Sequence, residues 1–223
     1  MPDAAASPRL RGLVVDWGGV MTDDLAHAMR SWAAADGVDV EQFSALMREW
    51  LGPAVGAEAR LNPVHALERG EIEVPDFERR LSAALRTHSG QPVQAEGLLR
   101  RMFEWFETAP DMLGLVRRAH EAGIRTALLS NSWGTAEYPR DGWDDMFDAV
   151  VISGEVGMRK PEPEIFEHTL ELLGLPASAC VFVDDLWPNV EVAVALGFVG
   201  VRHTSYAATA SELDVLFGVQ LST

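Results

Sequence analysis

The chain has 223 residues, 48% of them hydrophobic and 23% charged, enough for one sizeable core or a core with a smaller second domain. Eighteen basic against thirty-four acidic side chains give a formal net charge of −16, which argues against nucleic-acid or anionic-membrane partners, since both need a basic footprint. A small phosphate ester stays open, because a local cation, a metal and backbone N–H groups suffice to hold one.

The single cysteine, Cys180, excludes an intramolecular disulfide and fits a reducing compartment. It lies in the apolar run Cys180-Val181-Phe182-Val183 and reads as a buried structural thiol. Met1 to Pro8 has no apolar core of a signal peptide. No run reaches membrane-spanning length without a charge or a breaker. The expectation is a soluble cytoplasmic protein, monomer or homodimer, with no membrane partner.

In chain order, Leu13-Val14-Val15 is an apolar run that stops at Asp16, with Gly18 and Gly19 just beyond. Such runs read as buried parallel strands. From Asp23 to Thr108 the pattern is helical. Leu25, Met29, Trp32 and Ala33 share one face, and Val40, Phe43, Met47 and Trp50 another. Gly52, Pro53 and Gly56 mark a loop over Leu51–Pro63. Pro75 opens a helix carrying Phe77, Leu81 and Leu85. Leu99, Met102, Phe103 and Phe106 line a fourth.

From Pro110 helices and strands alternate. Met112, Leu115, Val116 and Ala119 form a helical face stopped by Gly123. Strands follow at Thr126–Leu129, Ala149–Ile152, Cys180–Val183 and Phe198–Val201. Helices lie between them at Pro163–Leu173 and Pro188–Leu196, closed by Gly174 and Gly197, and a short one at Ser211–Phe217 ends the chain. This alternation predicts an α/β fold, a doubly wound Rossmann-like parallel sheet, with an all-helical module inserted after the first strand. The domains expected are a core of residues 8–22 and 109–223 and a helical cap of residues 23–108.

Several strands end in polar residues: Asp16, Ser130 with Asn131, and Asp184 with Asp185. In a parallel sheet these ends share the edge where ligands bind, although each alone also suits a turn or a helix cap. Two adjacent carboxylates repel one another unless a cation relieves them, and an all-oxygen ligand set suits Mg²⁺. Lys160 follows the third strand of the series and is a candidate for neutralising an anion; an ordinary solvated lysine fits the spacing equally well. The six histidines are dispersed without zinc-ligand spacing. Neither a dinucleotide fingerprint nor a Walker-type lysine loop is present. Trp17, Trp133 and Trp187 adjoin the proposed site loops and are read as packing residues.

The runs DWGGVMT, LLSNS, MRKP and FVDDLWPN, in that order and at strand ends, resemble the four motifs of the haloacid dehalogenase (HAD) superfamily of phosphotransferases and hydrolases. The resemblance covers nearly the whole chain and is similar to members with a helical cap that act on small phosphorylated metabolites. It implies that Asp16 is the nucleophile, passing through an aspartyl-phosphate. It implies Mg²⁺ held by Asp16, the Gly18 carbonyl and Asp185, with Asp184 assisting. Ser130 and the Asn131 N–H would hold phosphoryl oxygens, Lys160 would neutralise nucleophile and phosphate, and Asn189 would orient Asp184 or Lys160.

One position departs from the pattern. Most phosphatases of this superfamily carry an acid–base aspartate two residues after the nucleophile, and here that residue is Gly18. Asp23, Asp24 and His27 are nearby proton donors by sequence, though each also suits a helix start or the surface. A substrate with an undemanding leaving group, such as an anomeric sugar phosphate, is another answer. Two alternatives follow from Gly18: hydrolytic dehalogenation of a 2-haloacid by the same aspartate, which would leave the acidic pair unused, and a catalytically weak ligand- or protein-binding member. Arg48, Arg60 and His65 of the helical module are candidates to reach the substrate, with surface exposure the expectation for each.

Overall fold

The computed structural model describes residues 10–51, 62–134 and 138–223. The expected loop around Gly52, Pro53 and Gly56, together with Arg60 and the boundary at Pro8, lies outside the described residues. Strands β1 (Gly12–Val15), β2 (Arg125–Ser130), β3 (Ala149–Ile152), β4 (Cys180–Asp184) and β5 (Val199–Arg202) form one sheet in the order β3-β2-β1-β4-β5. Every pairing is parallel. β1 is therefore central, and the chain departs from it first to β2 and β3, then to the other side.

Both faces of the sheet are covered, which is why the strands are apolar without alternation. Leu13, Val15, Leu128, Val181 and Val183 pack with Met112, Leu115, Val116 and Leu213 on one face. Val14, Ala127, Leu129, Phe182 and Cys180 pack with Ile165, Phe166, Leu173 and Phe198 on the other. Successive strand residues point to opposite faces, so a single run feeds two cores. Cys180 is fully buried, and burial pushes its thiol up to about 11, as expected of a structural cysteine.

Between β1 and the rest of the sheet lie α1 (Leu25–Ala35), α2 (Val40–Trp50), α3 (Pro63–Glu68), α4 (Val74–Ala84) and α5 (Leu98–Phe103). Their inward faces make a separate core of Trp32, Phe43, Phe77, Leu81, Leu85 and Met102. After α6 (Pro110–Glu121) the remaining helices are α7 (Ser153–Val156), α8 (Pro163–Leu173), α9 (Trp187–Ala195) and α10 (Tyr206–Phe217), with a 3₁₀ turn at Ala177–Ala179. Among the described residues no helix is long and apolar enough to cross a membrane.

Three elements differ from expectation. α5 stops at Phe103, because the Trp105 and Phe106 amides turn back to Met102 and Phe103 in a tighter three-residue pattern. α7 follows β3 directly, a short helix where the sequence pattern shows only the end of a strand. α10 starts at Tyr206, earlier than Ser211, because the Ser205 hydroxyl accepts from the Ala208 amide and caps it.

The helical segment docks on the sheet's carboxyl edge through α3. Glu68 is buried and pairs with Arg159, next to Lys160. Trp133 donates its indole N–H to the same carboxylate at 3.4 Å and packs edge-on against Phe77 at 5.6 Å. Arg69 reaches Glu162 at 2.9 Å. At Gly70, with φ of +68°, a Cβ would stand 2.7 Å from the Gly154 carbonyl, so the backbones approach as closely as glycine permits. Removing one partner of a buried pair leaves an uncompensated charge. Arg159→Ala is therefore expected to lower stability at neutral pH by about 3 kcal/mol, read as a reduced urea midpoint. An unchanged midpoint would show that the pair contributes nothing.

Candidate active site

Strand register assembles the site. Val15 pairs with Val183, and the Asp16 amide donates to the Val183 carbonyl at 3.0 Å, so Asp16 and Asp184 leave neighbouring strands at the same level. β1 and β4 flank the point where the strand order reverses, where open α/β sheets form their crevice. β2, on the other side of β1, ends in Ser130.

Lys160 joins these carboxylates. Its ammonium lies 2.8 Å from Asp16 Oδ1 and 2.7 Å from Asp184 Oδ2, and the side chain is only 1% exposed. The solvated-lysine reading therefore fails. Asn131 holds the loop that carries it: the Asn131 side-chain amide donates to the Lys160 carbonyl at 2.9 Å, and its oxygen accepts from the Lys160 amide at 2.8 Å. The Lys160–Pro161 peptide is cis.

Asp184 is saturated by the protein. Besides Lys160 it accepts from the Leu186 amide at 2.8 Å, and Asn189 Nδ2 lies 3.0 Å from each of its oxygens. Asp185 is only partly buried and stands beside the glycine turn. At Gly19, with φ of +76°, a Cβ would come within 2.7 Å of Asp185 Oδ2, so only glycine lets this loop lie against the carboxylate. The Gly19 amide donates to Thr22 Oγ1 at 2.9 Å, which closes the turn.

The charges are poised by burial. Desolvation pushes Asp16 up to about 8; Lys160 opposes this and Asp184 adds to it. Desolvation, then the neighbouring Asp184 charge, pushes Asp185 up to about 6. Lys160 loses solvation too, but Asp16 and Asp184 more than compensate, and its pKa lies above the usual lysine value. Ligand oxygens of Asp16, Asp184 and Asp185 lie within 4.8 Å of one another. Three carboxylates facing one ammonium leave an excess of negative charge that a cation would offset, so this donor set fits a hard divalent metal.

The other candidates are placed as follows. Ser130 is buried, with its hydroxyl 2.8 Å from the Tyr138 phenol. Asp24 caps α1 by accepting from the His27 amide, and Asp23 and His27 are exposed. Arg48 is exposed, whereas His65 is buried inside α3, against the expectation of exposure. Trp17 packs on Tyr138 and Trp143, and Trp133 on Phe77, but Trp187 is 51% exposed and is not a packing residue. The sequence does not single out Tyr138, Glu68 or Arg159: Glu68 and Arg159 pair across 91 residues, and Tyr138 reaches Ser130 over eight residues at no recognisable motif spacing.

At Gly18 the φ is not positive, and the nearest atom to an added Cβ is Leu25 Cδ1 at 4.0 Å. Glycine is thus not sterically required at the position where the resemblance leads one to expect an acid.

A family model for haloacid dehalogenase-like hydrolases matches residues 10–197. The chain is 32% identical over 161 residues to a sesquiterpene phosphatase of Aspergillus oryzae, covering 68% of this chain and 77% of that enzyme. Several other curated relatives are longer proteins, of which this chain spans from 11% to 40%. A HAD family enzyme from Bacteroides thetaiotaomicron, crystallised with magnesium and inorganic phosphate, matches with a TM-score of 0.62 at 21% identity, over 87% of this chain and 94% of that one. A dehalogenase structure with an intermediate complex gives 0.64 at 21% identity, over 96% and 98%. At such identity the two structures speak for the fold. The family match, spanning most of the chain and all of the strand ends just described except that of β5, is decisive: the chain belongs to the haloacid dehalogenase-like hydrolases.

Proposed function

We propose that the protein is a Mg²⁺-dependent phosphatase acting on a small phosphorylated metabolite, with sugar phosphates a candidate class. The observation that carries this reading is the Lys160 ammonium shared between Asp16 and Asp184, with Asp185 left outside the pair. Among the described residues the donors to Asp16, Lys160 at 2.8 Å and the Trp17 amide at 2.7 Å, converge on Oδ1. Oδ2 is therefore the oxygen presented for attack.

In the proposed reaction Oδ2 of Asp16 forms a bond to phosphorus as the ester's P–O bond breaks, giving an aspartyl-phosphate that water hydrolyses. Ser130 and the Asn131 N–H hold phosphoryl oxygens, and Lys160 offsets charge on nucleophile and phosphate. Asp16, the Gly18 carbonyl and Asp185 would hold Mg²⁺, which when bound offsets negative charge on the transferring group. Asp184, saturated by Lys160, Asn189 and the Leu186 amide, acts mainly by fixing Lys160. Residues 23–108 serve as the cap that excludes water. The sesquiterpene phosphatase relative supports phosphate-ester chemistry. Dehalogenation is favoured by one feature, the missing acid at Gly18, but leaves Asp185 without a task.

Three outcomes test this. Phosphate release over a metabolite panel should require Mg²⁺ and vanish in Asp16→Asn; equal activity in the mutant, or EDTA-resistant turnover of a 2-haloacid, would reject the mechanism.

Without an acid at Gly18 the wild-type rate should fall as leaving-group pKa rises. Gly18→Asp, for which the loop has room, should restore at least about tenfold on alkyl phosphates, since general acid help is worth about 10²–10⁴-fold. No gain would mean that another donor already serves.

The metal-free protein should also lose stability as pH rises. The Asp16 pKa is raised from 3.8 in the unfolded chain to about 8 in the fold, so the native state binds the proton more tightly, and stability falls between about pH 4 and 8. Melting in EDTA from pH 5 to 8 should show this fall, and Asp16→Asn should remove most of it; parallel curves for the two proteins would contradict it.

A further inference from the structure

Ser130 ends β2 and is 2% exposed, and among the described residues the group within hydrogen-bonding reach of its hydroxyl is the Tyr138 phenol at 2.8 Å. A serine hydroxyl has one proton to give. Spent on Tyr138, it leaves only lone pairs to face an incoming anion. If Ser130 instead accepts from Tyr138, its own proton is free for a phosphoryl oxygen.

The surroundings of the phenol favour the second arrangement. A phenol is the stronger donor and the poorer acceptor of the two hydroxyls, and burial raises the Tyr138 pKa above its usual value, so the donor proton is retained. The ring is held edge-on by Trp17 and by Trp143, each at 5.9 Å between centroids, and those two indoles pack on each other at 5.3 Å. Trp17 follows the nucleophile and donates its amide to Asp16 Oδ1. The loop that orients Asp16 thus also seats the tyrosine that faces Ser130.

We propose that Tyr138 is a positioning residue for the phosphoryl site: its O–H donates to Ser130 Oγ and leaves the Ser130 proton directed at the transferring phosphoryl group. The inference rests on the phosphatase reading, in which Ser130 holds a phosphoryl oxygen. No proton is transferred; the hydrogen bond only selects which way the serine hydroxyl faces.

Tyr138→Phe keeps the ring and its edge contacts and removes only the hydroxyl. Wild type, Tyr138→Phe, Ser130→Ala and the double variant are compared on p-nitrophenyl phosphate with Mg²⁺, alongside thermal melts. Tyr138→Phe should lower kcat about tenfold, the size of one lost hydrogen bond, with KM within about twofold and Tm within about 2 °C. The double variant should match Ser130→Ala, because Tyr138 acts through Ser130. An unchanged kcat in Tyr138→Phe, or losses that multiply in the double variant, overturns the inference while the phosphatase reading stands. A wild type with no Mg²⁺-dependent release, indistinguishable from Asp16→Asn, overturns that reading and this inference with it.

Discussion

The site is organised by one buried ammonium. Lys160 sits between Asp16 and Asp184 at 2.8 and 2.7 Å, almost without solvent. An unpaired lysine at that depth would lose its charge, and unpaired carboxylates there would take up protons. Lys160 keeps its charge because two carboxylates are held at bonding distance, and its ammonium in turn opposes the desolvation that raises the Asp16 pKa. That demand falls on three separate pieces of chain: the end of β1, the end of β4, and the loop after α7 that Asn131 pins through both of its amide atoms. Slippage of any one would expose an uncompensated charge, so sheet register and side-chain electrostatics reinforce one another.

The pairing is incomplete, and this incompleteness fits a binding site. One ammonium faces three carboxylates, and burial drives Asp16 to about 8 and Asp185 to about 6. A core built for stability alone would not keep such an excess. Strongly shifted groups in a crevice at the strand-order reversal are the pattern of a functional centre, where a ligand supplies the missing counter-charge. Such an excess of like charge at the strand ends costs stability, an example of stability exchanged for readiness to bind.

Much of this arrangement was legible in the sequence because it follows strand periodicity. Apolar runs ending in Asp16, Ser130 and Asp184 place polar atoms at one sheet edge once the strands are parallel, and helix stops such as Gly174 lie where the pattern puts them. Other features are set by tertiary contacts and leave no local trace. Lys160 meets Asp184 across 24 residues of chain, and its burial cannot be read from GMRKP. Tyr138 reaches Ser130 from a segment with no periodicity of its own. His65 looks like a surface residue until α3 is docked, and the Glu68–Arg159 pair that helps dock it spans 91 residues.

Asp184 and Asp185 show how hydrogen bonding separates two residues that sequence makes equivalent. Asp184 is the last residue of β4, whereas Asp185 begins the bend that follows it, so the two carboxylates meet different surroundings. Asp184 turns into the protein and is met by Lys160, the Leu186 amide and Asn189 at the start of α9, so its lone pairs are largely committed. Asp185 turns to the glycine loop, where the absence of a side chain at Gly19 leaves its carboxylate close to the backbone. Among its own contacts, the backbone carbonyl of Asp185 rather than its carboxylate accepts from Arg202, at 3.3 Å. The first acid is therefore built to hold a lysine and the second to remain available. A vicinal pair that would only repel itself in isolation becomes a division of labour, with repulsion on the buried member offset by protein donors and the other placed where the proposed function needs a cation ligand.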